Sequence, residues 1–127
     1  MKPTEAVKLT RAIKAVCPQQ HVDTLTPDTW GSVLADLHFA DCLTAVHAIA
    51  RRQPFISASD VVAEVRRIRE QRIDDARIPV PPLELADDGP AELAWRRQVL
   101  REIADGVPVD QVSVITNPAR LELEAGE

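Results

Sequence analysis

Ser57-Ala58-Ser59-Asp60-Val61-Val62-Ala63-Glu64-Val65-Arg66-Arg67-Ile68 decides the fold class of this chain. Ser57 and Asp60 stand in the Ser-x-x-Asp relation of a variant capping box, in which each side chain satisfies a backbone amide of the other. Val61, Val65 and Ile68 follow at helical spacing, which predicts a helix running toward Asp75. Upstream, Pro54 closes a third helix over about Phe39 to Arg52, with Phe39, Leu43, Val46 and Ile49 or Ala50 inward. Whether that helix is separated from the second near His38 is left open by the pattern. Thr26-Pro27-Asp28 starts the second: a hydroxyl acceptor, a proline that needs no donor, and an acid at the positive helix end. Trp30, Val33, Leu34 and Leu37 line one of its faces. Thr4 caps the first helix, where Ala6, Leu9, Ile13 and Val16 recur at three and four until the chain reaches Pro18.

The predicted fold is therefore all-α. Residues 1–75 form a small four-helix N-terminal domain with Trp30 as its largest core anchor. Residues 76–127 form a linker and an acidic tail. The linker is Pro79-Val80-Pro81-Pro82, three of whose four residues lack an amide donor and which favours the polyproline conformation. Beyond it the pattern is loose and the tail is expected to be mostly flexible, with one amphipathic helix near 90–104. After Asp105-Gly106 only Val112-Ser113-Val114-Ile115-Thr116 has a regular look, and it is strand-like.

With 127 residues and a mass of 14.0 kDa, the chain has room for one modest core plus appendages. Its net charge of −5 is unevenly spread: residues 1–72 carry ten Lys/Arg and eight Asp/Glu, residues 73–127 five and twelve. Only four aromatics occur, Trp30, Phe39, Phe55 and Trp95, too few for a base-stacking nucleic-acid reader. Ten prolines against four glycines, and no Gly-x4-Gly-Lys run, exclude a P-loop nucleotide hydrolase. Two cysteines make no disulfide framework, and the N-terminus lacks the continuous apolar run of a signal peptide or membrane span. The cytoplasm is the expected compartment.

Cys17-x3-His21 and His38-x3-Cys42 carry the donor types of a tetrahedral zinc site, but not the spacing of a known finger, and cysteine is a small buried hydrophobe in helical cores. No metal or other cofactor is expected. His21, His38 and His47 have no nucleophile motif beside them, and no catalytic role is assigned. Arg66, Arg67, Arg69 and Arg72 crowd the fourth helix and form a weak candidate for phosphate contact; intrahelical Glu/Arg pairing on a solvated face is the plainer reading. Leu93, Trp95, Val99, Leu100 and Ile103 lie on one arc of the tail helix. Such a stripe folds back on its own chain or docks in a partner groove, and these five residues are the expected partner contact.

Read in order, the front half strings together Thr4-Glu5-Ala6-Val7-Lys8-Leu9, then Thr26-Pro27-Asp28-Thr29-Trp30, then an alanine-rich helix around Leu43-Thr44-Ala45-Val46. Pro54-Phe55-Ile56-Ser57-Ala58-Ser59-Asp60-Val61 follows. Over residues 4–72 this succession resembles the small phage proteins that load and inhibit the hexameric replicative helicase. The resemblance implies a helical N-terminal domain and a poorly ordered C-terminal segment that engages the helicase, holding it inactive until it reaches an origin-bound initiator. The expectation is a non-enzymatic adaptor whose partners are the helicase and the initiator, with direct DNA binding weak or absent and no membrane. The alternative is a small helical DNA-binding regulator that uses the arginine-rich fourth helix.

Overall fold

A computed structural model describes residues 1–118. Among them run six α-helices in order: α1 (Pro3–Val16), α2 (Thr26–Val33), α3 (Phe39–Ala50), α4 (Ala58–Asp75), α5 (Gly89–Ala104) and α6 (Ser113–Thr116). Single 3-10 turns lie at Leu83–Leu85 and Val109–Gln111, and no strand occurs among the described residues. The chain packs as two compact units, one from Met1 to Ile68 and the other from Arg69 onward. The division falls inside α4; residue 75, the boundary read from the sequence, is where that helix ends.

In the first unit, helix starts follow local chemistry. The Ser57 hydroxyl accepts from the Asp60 amide at 3.0 Å and the Asp60 carboxylate accepts from the Ser57 amide at 3.0 Å, the reciprocal box anticipated above. At α2 the capping group is Asp23 instead of Thr26: its Oδ1 accepts from the Leu25 and Thr26 amides at 2.9 and 3.1 Å, while the Thr26 hydroxyl accepts from the Asp23 amide. At α1 Pro3 occupies the first turn, and Glu5, not Thr4, reaches back to the Lys2 amide at 2.8 Å. His38 lies between α2 and α3, so the two helices are separate.

The core of this unit joins Leu9, Ile13 and Cys17 from the α1 side with Leu34, then Cys42, Ala45, Val46 and Ile49 of α3, Ile56, and Val61 and Val65 of α4. Trp30 is not its anchor. The ring is half-buried at the edge of the cluster, no residue of α2 is fully buried, and Leu34, just past the end of α2, fills the interior. A helix of eight residues, ended by Val33, brings only its last turn against the core.

The second unit overturns the expectation of a mostly flexible tail. Trp95, Val99, Ile103, Val112 and Val114 form a second buried cluster, with Ile73, Ala76, Leu85, Val107 and Val109 packed around it. Asp88 caps α5 by accepting from the Ala91 amide at 3.1 Å, and Pro90 occupies the first turn. At the other end, the Gly106 amide donates to the Ile103 carbonyl and the Val107 amide to the Glu102 carbonyl, with Gly106 at φ 97°. That is a Schellman stop, and it reverses the chain so that the stretch from Val107 to Ile115 lies against α5. Val112–Thr116 is accordingly no strand: Ser113 starts a single helical turn whose amide and hydroxyl both donate to the Glu102 carboxylate, at 3.2 and 2.8 Å. The part of the tail from 119 to 127 lies outside the described residues.

Candidate partner-binding surfaces

The five residues of the expected partner contact do not share a surface. Trp95, Val99 and Ile103 are the centre of the second core, Leu100 is half-buried, and Leu93 alone is well exposed. The stripe found its cover within its own chain, in the valines at 107, 109, 112 and 114. Their spacing, of two, three and two residues with Pro108 among them, hid this from a helical-period reading. The buried indole Nε1 of Trp95 has no hydrogen-bond partner, so its place in the core rests on the apolar body of the ring.

The four arginines of α4 also divide. Arg66 is exposed, whereas Arg67 donates through Nε and Nη2 to Glu64 at 3.2 and 2.9 Å. Arg69 pairs with Asp105, and Arg72 donates to the Ala104 carbonyl at 2.8 Å, both at the C-terminal end of α5 where exposed carbonyls favour a cation. Two of the four candidate phosphate contacts are thus used to hold α4 and α5 together within the second unit.

Glu64 is the most enclosed ionised group of the first unit. Its carboxylate is 4% exposed and is held between Arg67 and Arg52, the latter at 3.2 Å. The hydrogen bonds from Arg67, and then those from Arg52, hold it below the usual carboxylate range against the cost of burial. Asp60 is likewise held low, first by the Ser57 amide and then by its hydroxyl.

Cys17 and Cys42 belong to the first core. Burial, with the neighbouring Asp41 charge, pushes the Cys42 thiol up to about 11, so it remains protonated. His21 and His38 are exposed, and among the described residues no group of three or more His, Cys, Asp or Glu is arranged to hold a metal ion. Nor is any helix among them long and apolar enough to cross a membrane.

The surface carries other apolar side chains: Leu25, Phe55 and Val33 in the first unit, the last of these on the face expected to be interior, and Val80 and Leu83 besides Leu93 in the second. Val80 and Leu83 are the most exposed, at 86% and 90%. Val80 lies within the proline run and Leu83 directly after it, a signal that the sequence does contain. Compared with known proteins, the chain matches no family model, no curated protein and no solved structure.

Proposed function

We propose that the protein is a non-enzymatic adaptor of phage or prophage origin that binds a hexameric replicative helicase in the bacterial cytoplasm, keeps it inactive, and yields it to an origin-bound initiator. The observation that carries this reading is the succession of helix signatures over residues 4–72, from Thr4-Glu5-Ala6 through Thr26-Pro27-Asp28-Thr29-Trp30 to the Ser57/Asp60 box. Helices α1 to α4 contain these signatures in that order, with Trp30 in α2 and the box at the start of α4.

An adaptor of this kind needs no reacting groups, only surface. Its release follows from competition: an initiator that binds the helicase about 1.4 kcal/mol more tightly than the adaptor takes tenfold more of it at equal concentration. The engagement of Arg69 and Arg72 with the end of α5 favours the adaptor over the DNA-binding alternative, since a phosphate-binding helix needs its cations free.

The test is ATP turnover and DNA unwinding by the purified host helicase, with and without the protein. The expected result is co-elution with the hexamer and a fall in unwinding that an initiator reverses. Unchanged helicase behaviour and no co-elution would overturn the reading. Salt-dependent binding to duplex DNA in the absence of helicase would favour the regulator.

A further inference from the structure

We propose that Arg77-Ile78-Pro79-Val80-Pro81-Pro82, with Leu83 of the 3-10 turn that follows it, is a preformed polyproline II ligand that docks in a groove of a partner protein lined by aromatic side chains and acidic at one end. Pro79, Pro81 and Pro82 fix their own φ, and each proline pushes the residue before it into the extended region. Pro82 lies at φ −55°, ψ 145°. The segment therefore holds a polyproline conformation before any partner arrives, and little ordering entropy remains to be lost on docking.

The second core takes Ala76 on one side of the segment and Leu85 on the other, while Val80 and Leu83 between them stand almost wholly in solvent. These aliphatic side chains contribute nothing to the fold; a segment needed only to span the gap has no use for them.

The missing donors select the mode of recognition. With no amide hydrogen at Pro79, Pro81 or Pro82, the segment can neither extend a partner's β-sheet nor enter a groove as a helix. What remains is docking of proline rings and Val80 against aromatic faces. Charge then excludes other occupants. Arg77 is exposed and is the only Lys or Arg from residue 73 to residue 95, while Asp74 and Asp75 precede it and Glu84, Asp87 and Asp88 follow the segment. The groove must be acidic where Arg77 lands. A phosphate backbone or an anionic membrane would be repelled by the flanking carboxylates.

The test uses the full chain with a photoreactive benzoylphenylalanine at position 83, irradiated in extract of native host cells. The expected product is one protein adduct whose cross-linked peptide contains Trp or Tyr. Its yield should drop at least about tenfold when Pro79→Ala and Val80→Asp are combined in the same chain, and also with Arg77→Glu, while the melting temperature stays unchanged because all three side chains are exposed. Binding of the captured protein, once purified, to a synthetic peptide of residues 76–85 should show the same loss. An adduct indifferent to these substitutions, one formed with nucleic acid, lipid or a second copy of this chain, or no adduct at all would overturn the proposal.

Discussion

The side-chain amide of Gln20 pairs with the backbone of Ile56 in both directions, Nε2 donating to the Ile56 carbonyl at 2.6 Å and Oε1 accepting from the Ile56 amide at 2.7 Å. This pair ties the loop after α1 to the approach to α4, where Ile56 is buried. Gln20→Ala leaves two backbone groups without a protein partner, and it should cost about 1–3 kcal/mol in chemical denaturation of the first unit. Gln20→Glu, which places a carboxylate against the Ile56 carbonyl, should cost at least as much. A Gln20→Ala variant as stable as the parent would show that water replaces the pair fully.

The two tryptophans should differ in the direction opposite to a sequence reading. Trp95→Ala empties the centre of the second core and should cost about 3–5 kcal/mol, read as loss of amide-exchange protection from Arg69 to Thr116. Trp95→Phe should cost much less, since the indole N–H it removes makes no hydrogen bond. Trp30→Ala, at the rim of the first core, should cost less than Trp95→Ala, because part of its ring already stands in solvent.

Acidification should act through Glu64. Its folded-state pKa lies below the ordinary value of 4.5, so its stabilising contribution is complete above that value and is lost as pH falls through the folded-state one. Asp60 acts in the same direction. Denaturation midpoints of the parent should therefore decline as the pH falls below the ordinary carboxylate range, and Glu64→Gln should show a shallower decline and a lower midpoint at neutral pH. Arg52 and Arg67 are about half exposed and can return to water, so the loss at neutral pH should be only about 1–2 kcal/mol. Parallel pH profiles for the two proteins would count against this assignment.

Gly106 and Arg72 both act at the end of α5. Gly106→Ala forces an L side chain to φ 97° and should destabilise the second unit by about 1–2 kcal/mol in thermal melting. Arg72→Met removes the donor to the Ala104 carbonyl and should cost about 1–2 kcal/mol, whereas Arg66→Met, on an exposed position, should stay within about 0.5 kcal/mol. Equal losses from Arg66→Met and Arg72→Met would mean that the arginines act as one charged face and not as separate contacts.

What the sequence determined by itself is the set of events that need only neighbours along the chain. The all-α class, the helix at 58–75 with its Ser57/Asp60 box, and the helix near 90–104 are legible because capping and helical period involve residues three or four apart. The polyproline stretch is legible for the same reason, since each ring acts on itself and the residue before it. Tertiary structure alone decided which apolar faces are interior. Leu34 displaces Trp30 as a core residue because α2 stops at Val33, and Gln20 finds Ile56 across 36 residues. The valines after Gly106 have no period that marks them as core; they become so only once the Schellman turn reverses the chain and lays them over Trp95 and Val99. A stripe waiting for a partner and a stripe already covered by its own chain have the same spacing, and what separates them is the free energy of a turn and a packing contact formed between distant residues.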